Sequence, residues 1–102
     1  PLNFVDPSGT AMFVYSIQRG VELGLLKAKE YTPVAYRGYQ SLFPFIQVND
    51  RGLLDVIGAC DGVVIKKNFV EYVTVPKILN AKEAVAGILW AAVIMETEQL
   101  KK

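Results

Sequence analysis

Side chains that could carry out nucleophilic or metal chemistry are sparse in this sequence. The 102 residues include no histidine, which excludes an imidazole general base, a Ser-His-Asp triad and an imidazole-bound metal. The one cysteine, Cys60, is followed by Asp61, whereas a reactive thiolate needs cationic surroundings. We therefore expect Cys60 to pack on the apolar face of a helix, and we expect no metal and no cofactor.

The carboxylates are few and spread along the chain. Glu22 and Glu30 fall in the first predicted helix, and Asp50, Asp55 and Asp61 surround the second. Asp50 suits a helix cap, the others suit solvated helix faces, and no glycine-rich phosphate loop follows a strand at a known spacing. An enzyme is therefore the less favoured class. An isomerase or lyase that uses a tyrosine and a carboxylate stays open as an alternative.

Composition restricts the partners and the location. Apolar residues make up 52% of the chain, charged residues 21%, and the net charge is +1. Without a basic excess, no nucleic-acid partner is expected. The longest apolar run, at 84–95, is too short to span a bilayer, and a single cysteine fits a reducing compartment. We expect a cytoplasmic protein with a tail at 1–10, one domain at 11–102 and no membrane partner.

The elements that would position these side chains follow from periodicity and from turn residues. A helical pattern begins at Ser16, and Asn80 with Glu83 forms a capping box for the last helix. The predicted elements are, in order, a strand at 11–15, a helix at 16–32, strands at 34–39 and 43–48, a helix from 49 closing near 62, a strand at 69–75 and a helix at 81–100. This order predicts an α+β fold, a ferredoxin-like βαββαβ sandwich with an additional C-terminal helix.

Two features leave alternatives open. Aromatic residues crowd the predicted hairpin, and Tyr72 lies on the last predicted strand. They suit either the core and sheet face or an interface between subunits, where aromatic side chains are enriched. Residues 91–97 also suit the opening strand of a following repeat, although the capping box favours a helix there.

Three short runs resemble bacterial microcompartment shell proteins, closest to the tandem-domain trimer-forming type. The first run is Ser16-Ile17-x-Arg19-Gly20-Val21-Glu22-Leu23-Gly24, at the predicted strand-to-helix junction. The second is Asn49-Asp50-Arg51-Gly52-Leu53, at the start of the next helix. The third is Val73-Thr74-Val75-Pro76-Lys77, at the end of the last strand.

The resemblance implies roles for individual residues. Lys29 and Lys77 would lie at subunit edges. The predicted hairpin would correspond to the pore loop, with Gly38, Tyr39, Gln40, Ser41, Leu42 and Phe43 as candidates. We therefore expect a structural, non-enzymatic module that forms hexamers, pseudohexamers or trimers with itself or related subunits and tiles into a shell. The alternative is a ferredoxin-like oligomeric module that regulates or binds a small ligand.

Overall fold

Helices dominate the computed structural model, which describes residues 6–60, 67–74 and 76–101. The elements are α1 (Pro7–Glu22), α2 (Ala28–Ser41), a 3-10 helix (Phe43–Phe45), β1 (Ile46–Val48), β2 (Leu54–Val56), β3 (Ala59–Cys60), α3 (Phe69–Val73), β4 (Lys77–Ile78) and α4 (Lys82–Leu100). Within these described ranges, no helix combines the length and hydropathy that crossing a bilayer requires.

Helix α1 begins where the sequence predicts a tail. The Asp6 carboxylate caps it, accepting hydrogen bonds from the backbone N–H of Ser8 (3.3 Å) and from the Ser8 hydroxyl (2.7 Å). Pro7 occupies the first helical position, where a missing N–H costs nothing. The predicted strand at 11–15 is wrong, because Ala11, Val14 and Gln18 are buried at helical spacing.

The single helix predicted at 16–32 is two helices. Gly24, with φ of +78°, lies in the turn between α1 and α2, where the N–H groups of Leu25 and Leu26 bond to the Gly20 carbonyl. Helix α2 then continues through Pro33 and buries Thr32, Ala35 and Tyr39. The predicted strand at 34–39 is therefore also wrong.

The strands form two small antiparallel pairs. Strand β1 pairs with β2, placing Ile46 opposite Val56, and β3 pairs with β4. The turn between β1 and β2 is held by the Asn49 side-chain oxygen, which accepts from the backbone N–H of Arg51 (2.9 Å) and Leu53 (3.1 Å). The helix predicted from residue 49 is consequently a hairpin, and Cys60 lies in β3 instead of on a helix face.

The last predicted helix is confirmed as α4. Its buried positions are Ala84, Ile88, Ala91, Ile94 and Met95, a spacing of four, three, three and one. The capping box is wrong, because no side chain caps α4. The predicted strand at 69–75 is wrong where it is described, since α3 occupies Phe69–Val73; residue 75 lies outside the described residues.

Helix α1 packs antiparallel to α2 and parallel to α4. Glycine permits both approaches: a β-carbon at Gly38 would lie 2.7 Å from Val14 Cγ2, and one at Gly87 would lie 3.2 Å from Ala11 Cβ. Contacts between α1 and α4 follow the same order along both helices. Ala11 lies near Gly87 close to the beginning of each helix, and the Gln18 side chain donates to Glu98 at 3.5 Å near their ends. The two helices therefore run in the same direction.

This architecture replaces the ferredoxin-like sandwich. That fold needs a four-stranded sheet backed by two helices, whereas the described residues form only two pairs of strands. The core lies between α1, α2 and α4, where several alanines pack with larger side chains that include Val14, Leu42, Ile88, Ile94 and Met95. Short apolar runs do not distinguish a buried helix turn from a buried strand, which accounts for the wrong interpretation.

Candidate functional site

An open groove runs between α1 and α4, and we call it the front groove. One cavity of about 500 Å³ lies between Tyr15 and Arg19 of α1 and Trp90 and Val93 of α4. A second, of about 420 Å³, shares Tyr15 and Trp90 and is bordered by Ser16. The aromatic pair therefore stands where the two cavities meet.

The front groove lies on the side of α1 that faces away from α2. Val14 of α1 meets Gly38 of α2, and Ser16 is two residues further along α1. At 3.6 residues per turn this is a rotation of about 200°. The groove is therefore separated from α2 by the thickness of α1.

Tyr15 and Trp90 form the floor of the groove. Their ring centroids lie 5.1 Å apart, and the rings are nearly perpendicular, at 88°, an edge-to-face arrangement that aromatic pairs prefer. Trp90 nevertheless keeps 59% of its surface exposed. The contact with Tyr15 therefore holds the indole in place while leaving much of the ring available to a ligand.

Charged side chains border both ends of the groove. The Arg19 guanidinium donates to Glu22 Oε1 at 3.2 Å in one cavity, and Glu83 borders the other. Arginine offers five N–H donors in a fixed fork, of which the ion pair with Glu22 uses a part. An aromatic floor with a charged rim suits a ring-shaped ligand that has apolar faces and polar edges.

Two other polar clusters hold the fold together. The Tyr39 hydroxyl donates to Glu96 Oε2 at 2.8 Å. Burial, followed by this hydrogen bond and the Glu96 charge, raises the pKa of Tyr39 to about 12. This pair connects α2 to α4.

The second cluster joins the β1–β2 hairpin to the segment before α4. Asn80 adopts a left-handed backbone, with φ of +55°. Its side-chain oxygen accepts from the Val56 N–H at 2.7 Å, and its side-chain nitrogen donates to Asp55 Oδ1 at 3.0 Å. Asn49 also donates to Asp55 Oδ1, at 3.3 Å. The predicted capping residue Asn80 therefore bonds to β2.

The residues expected at subunit edges are not at the groove. Lys29 is exposed in the first turn of α2, and Lys77 lies in β4. Nothing in the structure tests a role for either residue in self-association, which stays a prediction.

The expected pore-loop residues form the end of a helix. Gly38, Tyr39, Gln40 and Ser41 make up the last turn of α2, Leu42 follows it, and Phe43 opens the 3-10 helix. Tyr39 and Leu42 are buried, and the Tyr39 ring packs edge-to-face on Phe43 at 5.2 Å. These residues therefore belong to the helix packing and not to a hairpin loop.

Sequence reasoning missed the front groove. Tyr15 fell in a predicted strand, Arg19 entered only as part of a short motif, and Trp90 fell in the last helix without a role. The one tryptophan of the chain was the available signal, because tryptophan is enriched among the residues that dominate binding energy. Among the described residues, no three His, Cys, Asp or Glu side chains converge as metal ligands.

The comparisons with known proteins point to one class of enzyme. A family model described as Glycosyl Hydrolase Family 88 matches residues 2–99. A solved structure, described as a structural analysis of a C. acetobutylicum ATCC 824 glycoside hydrolase from family 105, superposes with a TM-score of 0.82 at 26% sequence identity. The match covers 92% of this chain and 28% of the solved chain. No curated protein matches.

These matches correct five expectations. The resemblance to microcompartment shell proteins is wrong, because a glycosyl hydrolase model matches nearly the whole chain, whereas the shell motifs are short. The shell module and the regulatory ligand-binding module are both wrong, and so is the expectation of a non-enzyme. The ferredoxin-like fold is wrong as well, because the chain is mainly helical and the fold of this family of hydrolases is a helical α-toroid.

Proposed function

Because the chain belongs to glycosyl hydrolase family 88, we propose that it takes part in the hydrolysis of glycosidic bonds and that its front groove is one wall of the substrate cavity. The family match is the main support for the proposal. The exposed Trp90 on the floor of an open groove indicates where the substrate would bind. The chain spans 28% of the solved family 105 chain, so the hydrolysis is proposed for a toroid of which these helices form a part.

The packing of the helices supports the position of the groove. In a toroid, the helices of one layer are arranged in a ring and are parallel to one another. The helices of the other layer are antiparallel to them. Helices α1 and α4 are parallel neighbours, and α2 lies antiparallel behind α1. This places α1 and α4 in one layer and α2 in the other. With α1 and α4 as the inner layer, the front groove, which faces away from α2, opens toward the centre of the ring.

The side chains of the groove suit a sugar. A pyranose ring has faces of C–H groups, which pack on an aromatic ring such as Trp90, and its hydroxyls need donors and acceptors at the edge. Arg19 and Glu22 provide these at one end, and Glu83 provides an acceptor at the other. The groove thereby combines an apolar surface with a few polar groups, as small-molecule sites commonly do.

The groove residues bind and orient the substrate in this proposal and do not transfer the proton. Glycosidic hydrolysis needs a carboxyl group that gives a proton to the leaving oxygen. Of the carboxylates nearby, Glu22 pairs with Arg19 and Glu98 accepts from Gln18, and Glu83 borders the other cavity, away from Arg19 and Glu22. We therefore assign the acid to another part of the toroid that faces the same cavity.

Kinetics of the full-length protein on a panel of oligosaccharides test the proposal, with released reducing ends as the readout. Removing the indole in Trp90→Ala should lower kcat/KM by about tenfold, which corresponds to roughly 1.4 kcal/mol of lost binding, mostly through KM. Phe13→Ala is the matched control, because Phe13 is 71% exposed and does not border the groove. If the folded protein cleaves none of the panel, the proposed hydrolysis is wrong. If Trp90→Ala and Phe13→Ala change kcat/KM equally, the front groove is not part of the substrate cavity.

We also propose that the protein functions in a reducing compartment such as the cytoplasm, which the single cysteine supports.

A further inference from the structure

Two polar side chains are buried between the helices with part of their hydrogen-bonding capacity unused. Gln18 of α1 is 0% exposed, and Thr32 of α2 is 8% exposed. Within the part of the chain that the structure describes, neither Gln18 Oε1 nor the Thr32 hydroxyl has a hydrogen-bond partner, although both atoms are shielded from solvent. Buried polar atoms are nearly always bonded to the protein or to ordered water, so these two atoms require an explanation.

Gln18 lies where α1, α2 and α4 meet. Along α1, Ala11 approaches α4 and Val14 approaches α2. Gln18 is seven residues after Ala11 and four after Val14, which places it between these two directions on the helix surface. Its side-chain nitrogen donates to Glu98 of α4 at 3.5 Å. The other end of the same amide, Oε1, is therefore inside the three-helix junction.

Thr32 approaches this junction from α2. It stands seven residues, or about two turns, before Tyr39, so the two share one stripe of the helix, and the Tyr39 hydroxyl reaches α4. The contact of Val14 with Gly38 gives the relative height of the two helices. Gln18 is four residues further along α1, and Thr32 is six residues back along α2. Because the helices are antiparallel, these steps run the same way and differ by only about 3 Å at 1.5 Å per residue.

The Thr32 hydroxyl differs from two other hydroxyls at the ends of helices. Ser41 donates to the Gly38 carbonyl at 2.6 Å, and Thr74 donates to the Val70 carbonyl at 2.7 Å. Each of these hydroxyls is satisfied by its own helix, whereas that of Thr32 is not. The Thr32 hydroxyl is therefore available to a ligand, as a donor and as an acceptor.

We propose that one buried water molecule binds at this junction, where it donates to Gln18 Oε1 and accepts from the Thr32 hydroxyl. The Glu98 carboxylate fixes the orientation of the amide, because it accepts from the amide nitrogen and leaves Oε1 in need of a donor. Both atoms are too deeply buried for another protein segment to reach, which restricts the ligand to the size of water. Buried waters commonly bond to such otherwise unsatisfied groups. The inference goes beyond the proposed function and is independent of whether the protein cleaves glycosides.

The variant Thr32→Val distinguishes a bound water from an unpaired hydroxyl. With the water present, valine removes one of its partners and should raise the equilibrium constant for unfolding of the full-length protein in urea by about tenfold. If the hydroxyl were unpaired, valine would instead stabilise the protein by removing a buried polar group, and this result would overturn the proposal. Thr74→Val is the matched control. Thr74 is exposed, so we expect a change of less than about threefold.

A shared water should also couple the two side chains energetically. In a Gln18→Met background, which lacks the amide, Thr32→Val should change the unfolding constant by less than about twofold. Thr74→Val should have the same effect in both backgrounds. If Thr32→Val acts equally in both backgrounds, the two groups share no ligand and the proposal is wrong.

A crystal structure of the full-length protein, at a resolution that shows ordered water, identifies the ligand. Density for a water within about 3.2 Å of both Gln18 Oε1 and the Thr32 hydroxyl supports the proposal. A direct hydrogen bond between the two side chains overturns it, even if they are coupled in the unfolding measurements.

Discussion

The Tyr39 hydroxyl donates a hydrogen bond of 2.8 Å to Glu96 across 57 residues of sequence. This hydrogen bond links α2 to α4. The two helices have few other direct contacts, and each packs mainly against α1. Tyr39 is 7% exposed, and Phe43 packs against its ring. A buried donor bonded to a carboxylate is among the stronger hydrogen bonds of a protein.

Removing this hydroxyl in Tyr39→Phe should therefore destabilise the protein. We expect a loss of about 1.5–3 kcal/mol, which is typical of a hydrogen bond to a charged group, measured as the free energy of unfolding in urea. Tyr31→Phe is the control, because Tyr31 is exposed. Equal losses in both variants would show that the bond to Glu96 adds nothing to stability.

The same tyrosine should make stability depend on pH in the alkaline range. Burial and Glu96 raise the pKa of Tyr39 from 10.0 to about 12 in the folded protein, so the unfolded chain releases this proton first. The contribution of the shift is complete below pH 10 and is lost as pH rises toward 12. The free energy of unfolding should fall more steeply between these values in the wild type than in Tyr39→Phe. Parallel slopes would contradict the raised pKa.

Glycine at position 38 should be required for the contact between α1 and α2. A β-carbon there would lie 2.7 Å from Val14 Cγ2, and Val14 is 2% exposed and stiff at χ1. Gly38→Ala should cost about 1–3 kcal/mol of unfolding free energy, as overpacking does. Gly9→Ala should be neutral or stabilising, because its nearest neighbour is 3.9 Å away. Stabilisation by Gly38→Ala would show that α2 moves freely away from α1.

Asn80 should tolerate glycine better than alanine. Its φ of +55° disfavours a β-carbon without the local hydrogen bonds of asparagine. Both variants also leave the Val56 N–H without its 2.7 Å acceptor. We expect losses of about 1–3 kcal/mol for the missing acceptor and a further loss in Asn80→Ala alone, measured by thermal unfolding. The reverse order would rule out backbone strain as the cause.

Trp90 offers a direct optical test of the front groove. It is the one tryptophan among the 102 residues, so the difference in fluorescence between the wild type and Trp90→Phe isolates its emission. Adding an oligosaccharide that the protein cleaves should shift this emission to shorter wavelength, because a stacked sugar removes water from the indole. Unchanged emission at saturating sugar would place the substrate elsewhere, even if hydrolysis is intact.

The sequence permitted correct prediction where a long, uniform pattern existed. The helix predicted at 81–100 from its capping box and continuous alanine-rich pattern is confirmed as α4, although the capping box does not form. Residues 11–15 were misassigned although a helix start was present, since Asp6 and Pro7 form a cap and first turn but also suit a loop. The buried Gln18 interrupted the apolar periodicity of α1, which concealed its helical face.

The front groove could not be predicted from a single sequence, for a different reason. Tyr15 and Trp90 are separated by 74 intervening residues, and their contact depends on how α1 and α4 are aligned. That alignment depends in turn on Gly87 opposite Ala11. No local pattern encodes such a pairing, because each residue taken alone is an ordinary member of its helix.

The parallel alignment of α1 and α4 also determines the order in which the protein can fold. Helices α1 and α2 are joined by the short turn at 23–27, so their hairpin requires closing only a small loop. Docking α4 beside α1 requires closing the whole segment 23–81, and the entropy cost of closure rises with loop length. Contacts between distant segments form slowly. We therefore expect the hairpin of α1 and α2 to form early and the front groove to be completed only when α4 docks, late in folding.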